Sequence, residues 1–153
     1  MLKRCELLCV FFVGGIIYTL TEMLWRGYSH PSMTAAGGVC FLIIHLMTRS
    51  LSRDKSAAEF FFGCVLGGLI ITAVEFLAGV VVNILLGLDV WDYSEMPGNI
   101  LGQICPAFTL AWMAISAPAQ LLSRVIRRFF DLIGNGADNN EKQIEIQGQN
   151  AVR

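Results

Sequence analysis

The chain has 153 residues, of which 55% are hydrophobic and only 15% charged. A soluble domain usually carries nearer ~25% charge. The composition therefore excludes an ordinary water-soluble fold and indicates one membrane domain. The net charge of −1 provides no global field for nucleic acid, and none is expected as a partner.

In chain order, Lys3 and Arg4 precede an apolar run from about Leu7 to Trp25. No small-x-small cleavage site follows, and the stretch continues through Glu22 and Arg26, so a retained first span is expected rather than a leader. Further apolar segments run from about Met33 to Met47, Phe60 to Leu88 and Asn99 to Ser116. A bilayer core takes about 20 residues of helix. The second segment is short and must draw on Pro31–Thr34 and Thr48. The third is too long for an upright span, so it must tilt, kink at Gly79 or project beyond the bilayer.

Residues 117–134 change pattern. Leu121, Leu122, Val125, Ile126, Phe129, Phe130 and Ile133 share one helical face, whereas Ser123, Arg124, Arg127, Arg128 and Asp131 share the other. Pro118 suits a first turn and Gly134 a stop, so a basic amphipathic helix on the inner leaflet is expected. A partner-facing helix is the alternative. Residues 135–153 form a polar tail, expected to be disordered.

Lys3 and Arg4, then Arg49, Arg53 and Lys55, then Arg124, Arg127 and Arg128 mark one side of the membrane. Asp89, Asp92 and Glu95 mark the other, with only Arg26 against the trend. The positive-inside rule places both termini in the cytoplasm of a multi-pass cell-membrane protein.

Gly14 to Leu24 matches Gly67 to Leu77 at a shift of 53, with six of eleven positions identical. The common pattern is G-G-x-x-x-T-x-x-E. At a shift of 65, Tyr28-Ser29, Gly37 and Cys40 match Tyr93-Ser94, Gly102 and Cys105, so about twelve extra residues are expected within Ala78–Asp89. The expected fold is an all-α membrane protein: four transmembrane helices as two parallel two-helix repeats, plus a C-terminal amphipathic helix. Residues 1–58 are the first repeat with its cytoplasmic loop, and 59–116 are the second with an extended third helix.

Glu22 and Glu75 end the repeated pattern. Each lies about 22 Å along its helix. A bare charge at mid-bilayer costs about 2.5–3.5 kcal/mol on insertion scales, so each acid needs a partner, a proton or water. Thr19 and Thr72 share the glycine-lined face with them. If the acids meet across a pseudo-twofold axis, they can hold a shared proton or a cation. The plainer alternative is two interhelical struts, with Glu22 paired to Trp25 or Arg26. Asn83, Asn99 and Gln103 add amides to the candidate ligand set. Trp25, Arg26, His30, Trp91, Asp92 and Tyr93 outline an outer vestibule, or else an aromatic belt with turn residues. His30 is a candidate pH-sensitive group or Asp92 partner, and His45 receives no role.

The five cysteines, Cys5, Cys9, Cys40, Cys64 and Cys105, form no Cys-x-x-Cys pair and read as buried thiols. No metal site, cofactor or catalytic residue is expected. The chain has no Walker A, Gly-x-Ser-x-Gly or His-Glu-x-x-His sequence.

Trp91-Asp92-Tyr93-Ser94, with Pro97, Asn99 and Gly102-Gln103-Ile104-Cys105, resembles a family of small bacterial membrane proteins described as ABC-transporter type IV permeases. Val74-Glu75-Phe76, Gly79 and Asn83 fit as well. Arg26-Gly27-Tyr28-Ser29-His30 and Ser32-Met33 are similar to the same group and its eukaryotic transmembrane relatives. The resemblance covers about Gly14 to Ser116. It implies a membrane protein related to transport, without a substrate, and favours a homodimer or larger assembly because four spans are few for a complete transporter.

Three functions follow as expectations. The first is a transporter or channel for a small solute or cation, with Glu22 and Glu75 on its path. The second is a receptor, scaffold or accessory subunit. The third is an intramembrane lipid-acting enzyme drawing acid–base groups from the glutamates, His30 and Asp92.

Overall fold

Backbone groups surrounded by lipid are satisfied within helices, and the long uncharged runs fold accordingly. The computed structural model of the chain describes the backbone of residues 2–50 and 56–151 and the side chains of 2–49 and 56–136. Arg53 and Lys55 of the expected cytoplasmic loop lie outside the described residues. Among the described residues four α-helices follow one another: α1 (Leu2–Arg26), α2 (Pro31–Ser50), α3 (Ala57–Gly79) and α4 (Pro106–Ala151). Among the described residues, the stretches Leu2–Arg26, Pro31–Arg49 and Ala57–Leu85 are each long and apolar enough to cross a membrane.

α1 packs along α2, and α3 along α4, giving two hairpins. α2 also touches α3 and α4, whereas α1 and α4 meet only sparsely. Glycines set the closeness of each hairpin. A side-chain carbon at Gly14 would strike Phe41 and the Gly37 carbonyl, and one at Gly68 would strike the Met113 backbone. At like depth, a hydroxyl pair bridges each hairpin. Thr19 Oγ1 lies 2.7 Å from Thr34 Oγ1, and Thr72 Oγ1 lies 3.1 Å from Thr109 Oγ1.

The third segment stays helical through Gly79. It continues as a π-helical turn over Val80–Leu85. Leu86 N donates to Val81 O at 3.0 Å, one residue further back than in an α-helix. The widened turn delivers Asn83 to the loop that follows. Its Nδ2 donates to Trp91 O (2.9 Å) and Gln103 Oε1 (2.7 Å), and its Oδ1 accepts from Val90 N (2.8 Å).

Two expectations are corrected here. Asn99 to Cys105 is not the start of a span but part of a folded loop, in which Ile100 bridges Ile104 and both Leu101 and Gly102 have positive φ. Gly37 and Cys40 lie within α2 whereas Gly102 and Cys105 precede α4, so the shift-65 matches do not hold like places. Pro31 and Pro106, which open α2 and α4, do, as do Thr34 and Thr109. The extra length of the second hairpin is therefore the π turn together with the long loop, not Ala78–Asp89 alone.

α4 corrects the C-terminal reading. It passes Pro118, which removes one backbone donor without ending the helix, and it passes Gly134, the expected stop, to reach Ala151. Ser116, Gln120 and Ser123 are buried, while Leu121, Val125, Phe129 and Leu132 are exposed. At about 1.5 Å per residue it runs about 70 Å, well beyond a ~30 Å bilayer core.

Candidate functional site between the two hairpins

At the loop end, the hairpins part around a cavity of about 640 Å³. Glu22, Arg26 and Tyr28 of the first hairpin line it, opposite Trp91, Tyr93 and Trp112 of the second.

Glu22 is held within its own hairpin. The Arg26 guanidinium donates to one carboxylate oxygen, and Ser29 Oγ donates to the other at 2.6 Å. Arg26 Nη1 also donates to Val90 O at 2.9 Å, which clamps the second hairpin's loop to the first hairpin. Its guanidinium lies 4.8 Å over the Tyr28 ring. Arg26 Nε is screened from solvent and has no hydrogen-bond partner among the described residues.

Glu75 is only 4% exposed. Tyr93 OH donates to Oε1 at 3.2 Å and Trp112 Nε1 to Oε2 at 2.8 Å. Both donors are also cavity walls, so the acid braces the wall from behind. Tyr93 stacks on Phe108 at 4.6 Å between centroids, and Tyr18 stacks on Trp112 at 6.0 Å. Burial, then the Glu75 charge, pushes the Tyr93 phenol up from its ordinary value. Among the described residues no hydrogen bond joins Glu22 to Glu75.

The remaining candidates divide by role. Trp25 lines the rim and is 81% exposed. Asp92 borders the cavity, and its Oδ1 accepts from the Ser94 amide and hydroxyl, which hold its carboxyl below the ordinary value. His30 Nδ1 pairs with Ser32 at 2.7 Å, not with Asp92. Thr19 and Thr72 are spent on the hydroxyl bridges. Asn99 and Gln103 direct their amides to the loop backbone: Asn99 Nδ2 donates to Ser94 O and Met96 O, and Gln103 Nε2 to Leu101 O. With Asn83, they shape the loop that carries Trp91 and Tyr93.

A second polar cluster, unassigned from sequence, lies at the opposite end. His45 bridges Ser123 Oγ (2.9 Å, through Nδ1) and Glu6 Oε1 (3.1 Å, through Nε2). Thr48 Oγ1 lies 2.8 Å from Ser123 Oγ, and Arg49 lies 3.6 Å from Glu6. These groups join α1, α2 and α4. The available signal was the polar stripe Ser116, Gln120, Ser123, spaced four and three residues apart on one helical face, which reads as a solvent face until a neighbour covers it. Among the described residues no cluster of His, Cys, Asp or Glu is suited to a metal.

Apolar helices long enough to cross a bilayer, packed around an interhelical cavity, define a helical membrane protein. The family model described as Putative ABC-transporter type IV matches residues 1–139, and the chain belongs to that family. The match extends well past Ser116, where the resemblance in sequence was bounded, and takes in the basic part of α4. Searches of curated proteins and of solved structures find no match.

Proposed function

We propose that the chain is a small-solute or cation transport component of the cell membrane, with the cavity between the hairpins as its binding site. The observation that carries this reading is the bracing of the cavity wall by Glu75. A ligand that moved Tyr93 or Trp112 would disturb a buried carboxylate, so occupancy and the packing between α3 and α4 are coupled.

In this reading α4 crosses as the fourth span. Its uncharged stretch from Pro106 to Ser123 and its packing along α3 support that assignment. The paired glycines and hydroxyl bridges support two parallel copies of one unit, and the distribution of Lys and Arg supports cytoplasmic termini. Glu22 and Glu75 act from opposite walls, one as an ion pair and one as a brace, rather than as a shared-proton pair. Homodimerisation would supply further walls to a small bundle.

The test is solute- and proton-driven flux in proteoliposomes for wild type, Glu22→Gln and Glu75→Gln. Loss of flux in both folded variants is expected. Wild-type flux in both would sink the reading. A second reading, an accessory subunit, is favoured by the outward apolar stripe of α4 beyond the cavity, and copurification of a stable permease partner would select it.

A further inference from the structure

All three tryptophans and all three tyrosines of the chain line the cavity between the hairpins. An interfacial aromatic belt places such residues at both membrane surfaces. Here none stands at the opposite end, where Glu6, His45 and Ser123 meet. Their gathering at one end calls for a local cause.

Hydrogen bonds already made narrow what the walls can bind. Trp91 Nε1 donates to Gln103 O, while Tyr93 and Trp112 donate to Glu75. Thr21 donates to Ile17 O. The Arg26 guanidinium is spent on Glu22, Val90 O and the Tyr28 ring. An anion finds no free charged donor there, and a hydroxyl-rich solute finds few donors of any kind. Ring surface and one acid are left over. Glu22 is balanced by Arg26. Asp92 borders the same cavity and is exposed. Its two hydrogen bonds among the described residues, both from Ser94, reach Oδ1, which leaves Oδ2 open to a ligand.

Aromatic faces beside an unbalanced carboxylate suit a cation whose charge is clothed in carbon. The Arg26 guanidinium, 4.8 Å over the Tyr28 ring, makes the same kind of contact within the chain. A bare metal ion is the poorer fit, because it takes several oxygen, nitrogen or sulfur ligands and rings supply none. The volume of about 640 Å³ falls within the range of small-molecule sites, about 300–1,000 Å³.

We infer that the cavity binds a monovalent organic cation, an ammonium group carrying apolar substituents. Asp92 is its counter-charge, and the tryptophan and tyrosine rings meet its carbon surface. This rests on the cavity being the ligand site, and it names the solute class.

The test is a tryptophan-fluorescence titration of the full chain in nanodiscs of zwitterionic lipid. The probes are benzyltrimethylammonium, benzyl alcohol and benzenesulfonate, which share a ring and differ in charge. Saturable binding of the cation is expected, with the neutral alcohol roughly tenfold weaker and no saturable binding of the sulfonate. Asp92→Asn and Trp25→Leu, both at exposed positions, should each weaken the cation's apparent Kd roughly twofold to fivefold. Alcohol or sulfonate binding as tightly as the cation would overturn the inference, as would unchanged cation affinity in both folded variants. Small-solute flux that the cation does not inhibit would leave the transport reading standing and remove this one. Saturable, Asp92-dependent cation binding without any flux would do the reverse.

Discussion

The two hairpins carry the same glycine–threonine–glutamate pattern and put it to different uses. In the first, a short link over residues 27–30 returns the chain directly into α2. Glu22 is left to the side chains nearest in sequence, Arg26 and Ser29. In the second, the position matching Arg26 is Gly79, and Trp91 and Gln103 pack against it. The long loop then folds over α3, and Glu75 receives two neutral donors, Tyr93 and Trp112. One motif thus yields an ion pair beside the cavity and a buried brace behind its wall. What surrounds a membrane carboxylate depends on the length of the connection after its helix as much as on the helix itself.

The largest break in this comparison should come from Glu75→Ala. Each acid accepts from two donors, but Glu75 is only 4% exposed, so Tyr93 and Trp112 are orphaned away from water at about 1–3 kcal/mol each, whereas Arg26 borders the cavity; thermal unfolding in detergent should therefore fall below that of Glu22→Ala. Near-equal losses in the two variants would mean that the carboxylates are not differently used. Next is Gly68→Leu, which drives a side chain into the Met113 backbone and should cost about 1–3 kcal/mol as overpacking. Cysteine cross-linking rates between α3 and α4 would register the spreading.

Arg26→Gln should release the loop rather than the bundle. A hydrogen bond from a charged donor is worth about 1.5–3 kcal/mol, and hydrogen exchange over residues 86–105 should accelerate while α2 stays protected. Thr34→Val and Thr109→Val sharpen the likeness between hairpins, since each removes one hydroxyl bridge. Their stability losses should agree near ~1 kcal/mol.

The smallest effect concerns acid. Asp92 is fully exposed, and its carboxyl is held below the ordinary value by the Ser94 hydroxyl and then by the Ser94 amide. A depressed folded value means that the contribution is present above the ordinary carboxylate range and is lost as pH falls through the lowered one. A carboxyl NMR titration should show Ser94→Ala moving the Asp92 midpoint upward. An unchanged midpoint would show that the turn does not hold the charge.

Much of this was legible in the residues. Long uncharged runs had to become helices, because lipid leaves backbone groups no other partner. Gly14-Gly15 and Gly67-Gly68 marked the close faces. Trp91, Asp92 and Tyr93 stood out as candidates, and they border the cavity. The start of α4 was misplaced because Asn99 to Cys105 is apolar enough to imitate a span, while its positive-φ turn and Asn99 bonds fold it into a loop. The inner cluster escaped notice because Glu6, His45 and Ser123 are remote in sequence and meet only when α1, α2 and α4 pack.

By itself, the sequence determined that this is a helical membrane protein of its family, which segments are apolar, and where the repeated acids lie along their helices. Periodicity and hydropathy are local properties, set by each residue and its near neighbours. The tertiary structure decided which donor each acid meets, which face of α4 turns inward, and which side chains wall the cavity between the hairpins. These depend on contacts between helices, whose partners are chosen by loop length and close packing across the whole chain.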